Sequence, residues 1–446
     1  MRYNIFINRF IFPLSDMVLG LSINKELKKW RKLQWLSKDE LQTIQHKKLK
    51  DLLIHCSHNI PYYKNIADNI KFSPNADPVK ELKKFPFLDK QIIKRSLPAD
   101  ILDKNRKTYF IDYTSGSSGI QGAFYSDKEA YSIALAIQSL WWNWTGYEFG
   151  DRLLQTGMTL KRGLVKGLKD FLFRVKYIQA FHMDSNMVMN NLSSLRGTKD
   201  YYLMGYASSL YTYAKFTKEN EINDIQFKAA VSWGDKMFPD YRKLIESQFN
   251  TVVFDTYAAC EGTMIAAECE YHNYHIMTPH VFIEILDKNG NEVELGEMGE
   301  VVVTRLDNYL MPLIRYKIGD LAVKADPEKK CPCGRSFPLL GRIIGRDTDI
   351  IYTPGGKSLI VHFFTGIFEF VDQIQQFQVI QHSLNDIEIK FILSDNFSNQ
   401  VLVALRKEIF KKANEKFPLR FTEVSKIPPT ASGKPQIVIS NINKES

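Results

Sequence analysis

The chain is 446 residues long, 44% hydrophobic, 24% charged and 13% aromatic, a balance that excludes a disordered, collagenous or disulfide-scaffold protein. At roughly 150 residues per domain the length suits two unequal domains or three smaller ones. Lys plus Arg number 59 against 50 Asp plus Glu, a net charge of +9. That excess favours anionic ligands or surfaces, but it is spread along the chain and forms no concentrated basic stripe of the kind nucleic acid requires.

The first residues, MRYNIFINRFIFPLSDMVLGLS, are apolar but broken by Arg9, Pro13 and Asp16. They lack an adequate apolar core and cleavage site for a signal peptide, and no run in the chain reaches 18 uninterrupted apolar residues. Two roles stay open for this arm: packing on the body of the protein, or a shallow peripheral membrane contact with Arg2, Arg9 and later lysines facing anionic lipid. The expected compartment is the cytoplasm, with membrane association through the arm as the alternative to packing. Five cysteines, unevenly spaced, do not make a disulfide framework.

Ser37 and Glu40 form a capping box opening a helix. Its apolar stripe is Leu41, Ile44, Leu49, Leu52, Leu53 and Cys56, and Asn59-Ile60-Pro61 ends it. Between Tyr109 and Tyr125 the pattern predicts two strands around the loop Thr114-Ser115-Gly116-Ser117-Ser118-Gly119, then a helix capped by Ser126 and Glu129. From Leu153 to Ala259 apolar runs such as TVVFDTY alternate with helical ones, as in α/β architecture with a partly parallel sheet. Residues 275–323 turn to strands, and the last hundred residues read as a small α+β domain. The expected fold class is therefore α/β. Residues 1–345 form a large N-terminal domain of mixed sheets and helices, and residues 346–446 a small C-terminal α+β domain hinged near Arg346–Asp349.

Five stretches can carry chemistry. Backbone N–H groups and four hydroxyls of Thr114–Gly119 can wrap phosphate oxygens, although no Walker A Lys-Ser/Thr pair follows. Asp255-Thr256-Tyr257-Ala258-Ala259-Cys260-Glu261-Gly262 follows a strand, where α/β sheets bind ligands, and Glu261 there can hold Mg2+ beside a triphosphate. Arg315-Tyr316-Lys317-Ile318-Gly319-Asp320 offers an acid for ribose hydroxyls. Gly345-Arg346-Asp347-Thr348-Asp349 and Pro429-Thr430-Ala431-Ser432-Gly433-Lys434 complete the series.

In order and spacing these motifs resemble the adenylate-forming superfamily of acyl-CoA synthetases. The likeness is greatest to the phenylacetate–CoA ligase branch and its capsular-polysaccharide-associated members, and includes Gln45 and the stretch HNIPYY. The resemblance implies that Thr114, Ser115, Gly116, Ser117, Ser118 and Gly119 grip pyrophosphate and that Ser232-Trp233-Gly234-Asp235 edges an adenine pocket. It implies that Asp255 meets the adenine amine, Tyr257 covers the ring and Glu261 binds magnesium. Asp320 takes the ribose hydroxyls, Arg346 adds a ribose or phosphate contact, and Lys434 bridges the carboxylate and α-phosphate. It also implies that the C-terminal domain is mobile between half-reactions. The chain departs from the family pattern at Ile120-Gln121-Gly122, where lysine and proline are usual, at Tyr257-Ala258 for Tyr-Gly, and at Thr348 for an acidic hinge residue.

Cys331-Pro-Cys333-Gly presents two thiols, and Cys269 and His275 lie about sixty residues earlier. Three thiolates and one imidazole suit a closed tetrahedral zinc site, structural in kind, with His272 as the alternative nitrogen ligand.

The implied activity is ATP-dependent activation of a small carboxylic acid as acyl-AMP, then transfer to CoA or another thiol such as a carrier pantetheine. The alternative acceptor is an amine or hydroxyl of a sugar intermediate in surface-polysaccharide biosynthesis. ATP, Mg2+, structural Zn2+ and CoA are the expected cofactors, and nucleic acid is not an expected partner. Trp141, Trp142, Trp144, Tyr206 and Trp233 could line an acyl pocket or belong to the core.

Overall fold

The computed structural model describes residues 3–97, 99–113, 123–157, 163–180, 185–259, 262–346, 350–368, 371, 373–393, 399–428 and 436–442. It is mixed α/β and divides into two compact units. The first comprises residues 1–318 and 323–342, and the second comprises 319–322 and 343–446.

The first unit opens with a helical arm over residues 3–19, whose middle, Ile7–Ile11, is a π turn. The helix Ile23–Leu33 follows and buries Ile23, Leu27, Trp30 and Leu33, one per turn along a single stripe. The capping box forms as the sequence predicts. The Ser37 N–H donates to Glu40 at 2.8 Å and the Glu40 N–H to Ser37 Oγ at 3.3 Å, so the helix Lys38–Asn59 starts with two of its orphan donors satisfied. Strands β1 (Phe110–Tyr113) and β2 (Ala123–Ser126) pair antiparallel. The next helix, Lys128–Trp144, is capped by Asp127, which accepts from the Ala130 N–H at 2.8 Å. Ser126, the expected cap, is instead the last residue of β2.

Strands β3 (Arg152–Gly157), β4 (Val175–Gln179), β5 (Tyr201–Tyr206), β6 (Phe227–Trp233), β7 (Val253–Ala259), β8 (Thr263–Glu268) and β9 (Tyr274–Ile276) come next in the chain. They are followed by β10 (Val281–Leu286), β11 (Met298–Arg305), β12 (Tyr316–Val323) and β13 (Leu339–Leu340). The main sheet has the order β13-β9-β8-β7-β6-β5-β3-β4. Pairings from β4 through β3, β5 and β6 to β7 are parallel; those from β7 through β8 and β9 to β13 are antiparallel. Adjacent residues on its strands enter different cores, because successive side chains point to opposite faces. Leu154, Leu203 and Ala230 pack with the helices Ala207–Glu219 and Pro239–Phe249, while Leu153, Tyr202 and Ala229 pack on the other side with Tyr147. Strands β10 and β11 pair antiparallel and β11 neighbours β12, whose first residues belong to this unit.

In the second unit, residues 320–322 of β12 pair antiparallel with β14 (Ile343–Arg346). That pairing draws residues 319–322 out of the first unit, which a single linear boundary cannot express. Strands β15 (Ile350–Tyr352) and β16 (Ser358–Ile360) form a hairpin. The sheet core is β17 (Ile374–Ser383), β18 (Asp386–Leu393), β19 (Leu419–Glu423) and β20 (Val438–Ser440), in the order β19-β18-β17-β20. Strands β18 and β19 are parallel, and the helix Asn399–Ala413 supplies their crossover, burying Leu405 and Ile409.

Candidate active site and metal centre

The carboxyl ends of β5 and β6 lie side by side and the start of β7 runs beside β6, with Tyr206 opposite Trp233 and Ser232 opposite Asp255. Gly234, just beyond β6, has a φ of +77°, which a residue with a Cβ rarely adopts. The turn it makes returns Asp235 toward β5. There Asp235 accepts from the backbone N–H groups of Ala207 at 2.6 Å and Ser208 at 3.2 Å, and from the Ser208 hydroxyl. The helix Ala207–Glu219 has no cap from its own N-cap residue, so Asp235 fills that role from another strand and fixes the tip of β6.

Asp255 is buried with both carboxylate oxygens engaged: Ser232 Oγ donates to one and the Tyr274 hydroxyl to the other. Its own N–H donates to Glu268 at 2.9 Å, and Arg242 grips Glu268 with contacts of 2.9 and 2.7 Å. Burial, reinforced by the nearby Glu268 carboxylate, pushes Asp255 up to about 7. The carboxyl to which the family resemblance gives an adenine contact makes these hydrogen bonds within the protein, two residues before Tyr257. Tyr257 is buried on β7 at a break in the β7–β8 register.

A second polar network lies behind the next turn. Gly262 has a φ of +66°, and a Cβ there would stand 2.9 Å from Arg305 Nη1. Arg305 is fully buried; it donates to Asp307 at 3.1 Å and to the Ala130 carbonyl at 3.0 Å. His280 Nδ1–H donates to the other Asp307 oxygen, while its Nε2 accepts from the Met264 N–H at 3.1 Å, so both ring nitrogens are fixed. Burial alone would raise Asp307, but His280, Arg305 and Lys48 hold it well below the ordinary carboxylate range. Burial also lowers His280. Neither His280 nor Arg305–Asp307 stands out in the sequence, because no local spacing links them.

Asp320 lies on β12 opposite Arg346 on β14. Thr114–Gly119, Glu261 and Lys434 fall outside the described residues. Trp141 and Trp144 are core: Trp141 Nε1 donates to Met277 Sδ at 3.0 Å and Trp144 Nε1 to Gln34 at 2.9 Å. Tyr206 and Trp233 are half-buried at the strand ends, where Trp142 packs in the core behind them.

Cys269, His275, Cys331 and Cys333 bring one donor atom each to within 4.8 Å of one another. Cys269 and Cys331 sulfurs are 3.5 Å apart, and Cys333 Sγ is 3.3 Å from His275 Nε2. A tetrahedral zinc with Zn–S bonds of about 2.3 Å separates its ligands by about 3.8 Å, so the donor set fits. His275 Nδ1–H donates to the Phe337 carbonyl at 3.1 Å, which leaves Nε2 facing the thiols. Burial lowers His275 to about 4 and keeps it neutral, while it raises Cys269 to about 12. A dication would reverse the latter by ionising the thiol. N–H groups of Tyr271 and Arg335 point at Cys269 and Cys333 at 3.4 and 3.5 Å. His272, the alternative ligand, lies instead 3.0 Å from Arg242.

Comparison with known proteins follows this geometry. Residues 351–441 match the CapK C-terminal domain family. Protein CapK of Staphylococcus aureus is 24% identical over 91% of this chain and 90% of its own length. The phenylacetate-coenzyme A ligase of Thermus thermophilus is 20% identical over 83% of this chain and 85% of its own. The crystal structure of 2-hydroxyisobutyryl-CoA ligase in the postadenylation state with R3-HIB-AMP superposes with a TM-score of 0.74 at 17% identity, covering 92% of each chain. The fold is that of the adenylate-forming CoA ligases.

Proposed function

We propose that this chain, homologous to Protein CapK and to the phenylacetate-coenzyme A ligases, is an ATP-dependent carboxylic-acid ligase that forms an acyl-adenylate and passes the acyl group to a thiol. The single observation that carries the reading is that this homology runs nearly the length of the chain. In the first half-reaction a carboxylate oxygen bonds to the α-phosphorus of ATP and pyrophosphate leaves. In the second, a thiolate bonds to the acyl carbon and AMP leaves.

In the first step two anions must approach each other. Lys434, Arg346 and the amides of Thr114–Gly119 would offset their repulsion, most strongly as charge moves to the departing pyrophosphate. Glu261 would hold Mg2+, which supplies further charge stabilisation there when bound. Gly234 and Tyr257 would edge and cover the adenine, and Asp320 would accept from the ribose hydroxyls. In place of a direct contact with adenine, Asp255 would hold β7 in register through Ser232 and Tyr274. Cys269, His275, Cys331 and Cys333 would hold a structural Zn2+. The domains would be residues 1–345 and a lid of 346–446 carrying Lys434.

The matches to Protein CapK and to its C-terminal domain family favour a second acceptor, an amine or hydroxyl of a sugar intermediate of a surface polysaccharide. A pyrophosphate-release screen over aromatic, fatty, hydroxy and amino acids tests the first half-reaction. Hydroxamate trapping of the activated acid, followed by CoA and aminosugars in parallel, identifies the acceptor. Absence of pyrophosphate release across all four acid classes would defeat the ligase reading.

A further inference from the structure

We propose that residues 3–19, with the helix Leu164–Leu172 beside them, form a docking face for an anionic lipid bilayer. The arm has two unlike sides. Ile7 and Phe12 are buried, and Asp16 is buried too, accepting from the Asn24 N–H at 2.6 Å. Ile5, Phe6, Phe10, Leu14, Met17 and Val18 are exposed, at 43–74% of their surface. Phe6, Phe10, Leu14 and Val18 recur every four residues, a spacing that drifts about 40° per step around an α-helix. The π turn at Ile7–Ile11 widens one turn and takes up part of that drift, so that one apolar side persists.

The helix Leu164–Leu172 extends this side. The Tyr3 hydroxyl donates to the Leu172 carbonyl at 2.8 Å, and Leu168 and Phe171 are 61% and 78% exposed. An apolar surface of this extent on one face of a protein marks an interaction site.

Charge identifies the occupant. With Asp16 buried, Arg9 is the one exposed charge on residues 3–19. Arg174 lies 4.8 Å over the Tyr3 ring, and Lys25, Lys28, Lys29 and Lys32 are exposed on the next helix, while the acids of these elements, Glu26 and Asp170, are half-buried. Apolar side chains rimmed by cations suit the headgroup and acyl boundary of an anionic membrane. A second copy docked about a twofold axis would bring the same cations face to face. The arm lies on the bilayer without crossing it. No single described helix is long and apolar enough to span, the following helix is bent 119° from the arm, and that helix turns its apolar stripe into the protein core.

The test is sedimentation of the full chain with sucrose-loaded phosphatidylcholine vesicles, with and without about a quarter phosphatidylglycerol. ATP and acid are left out, so the result is independent of the ligase reading. The chain is expected to sediment with the anionic vesicles at least about tenfold more strongly than with neutral ones, and less so in high salt. The double variant Phe10→Glu, Val18→Glu should lose at least about tenfold of that binding while keeping its melting temperature. Wild-type protein that stays in the supernatant with anionic vesicles would overturn the proposal. So would a double variant that still binds, or a vesicle-independent dimer that the same substitutions dissolve.

Discussion

Tyr274 and His275 are adjacent on β9 and face opposite tasks: the Tyr274 hydroxyl donates to Asp255, while His275 turns Nε2 to within 3.3 Å of the Cys333 sulfur. At the end of β8 the same division recurs, Glu268 accepting the Asp255 N–H and the next residue, Cys269, standing 3.5 Å from Cys331. The hairpin therefore connects the thiol–imidazole cluster to the strand that bears Tyr257. Tyr274→Phe should leave one buried oxygen of Asp255 without its donor, at a cost of about 1–3 kcal/mol. Differential scanning fluorimetry should show a fall of a few degrees in melting temperature, with the KM for ATP rising more than kcat falls. An unchanged melting temperature would show that the hydroxyl contributes nothing.

A zinc held by Cys269, His275, Cys331 and Cys333 predicts a stoichiometry. Purified protein should carry one zinc per chain by elemental analysis, and Cys331→Ser should lose it. Because Glu268 and Tyr274 flank two of the ligands, zinc loss should lower both the melting temperature and ATP–pyrophosphate exchange. Exchange that survives complete metal removal undiminished would uncouple the cluster from β7.

Asp255 gives a pH dependence with a defined sign. Its folded value, about 7, lies above the ordinary carboxylate value of about 3.9, so the folded protein favours the protonated form. That contribution to stability is complete below about pH 4 and is lost as pH rises through about 7. Asp255→Asn cannot titrate. The stability of the wild type relative to this variant should therefore fall between about pH 4 and 7, then level off. Parallel curves for the two proteins would rule out the raised value.

Asp307 is the hub of the buried network behind Gly262, and removing its charge takes away the carboxylate that stands 3.1 Å from the buried Arg305 and that His280 also binds. Asp307→Asn should destabilise the first unit by about 3–5 kcal/mol, the usual cost of breaking a buried pair from one side. Urea denaturation followed by tryptophan fluorescence measures this. A loss within the range of a surface substitution, about 0.5 kcal/mol, would show that the network is already satisfied by other groups.

Much of the architecture is legible in the sequence because its signals are local. Ser37 and Glu40 are three residues apart, and their capping box forms on both sides. The run TVVFDTY gives β7, and the grouping of Cys269, His275, Cys331 and Cys333 is legible because cysteine and histidine have few other reasons to occur at that spacing. What fails is non-local. Nothing near Asp255 announces the Tyr274 hydroxyl that donates to it, 19 residues away. Ser126 and Asp127 are equally good caps by type, and only the pairing of β2 decides between them. The two-sided arm reads as either packed or exposed because its four-residue repeat makes sense only with the π turn.

The reversal of strand direction at β7 has a practical consequence for anyone altering this protein. Strands β7 and β8 pair antiparallel from Thr256 opposite Ala267 to Ala259 opposite Thr263, and β8 leads on to Cys269, whose sulfur lies 3.5 Å from that of Cys331. A change of length between these two strands would act on that register. Length changes around Tyr206 and Trp233, at the ends of the parallel strands β5 and β6, would leave that antiparallel register untouched.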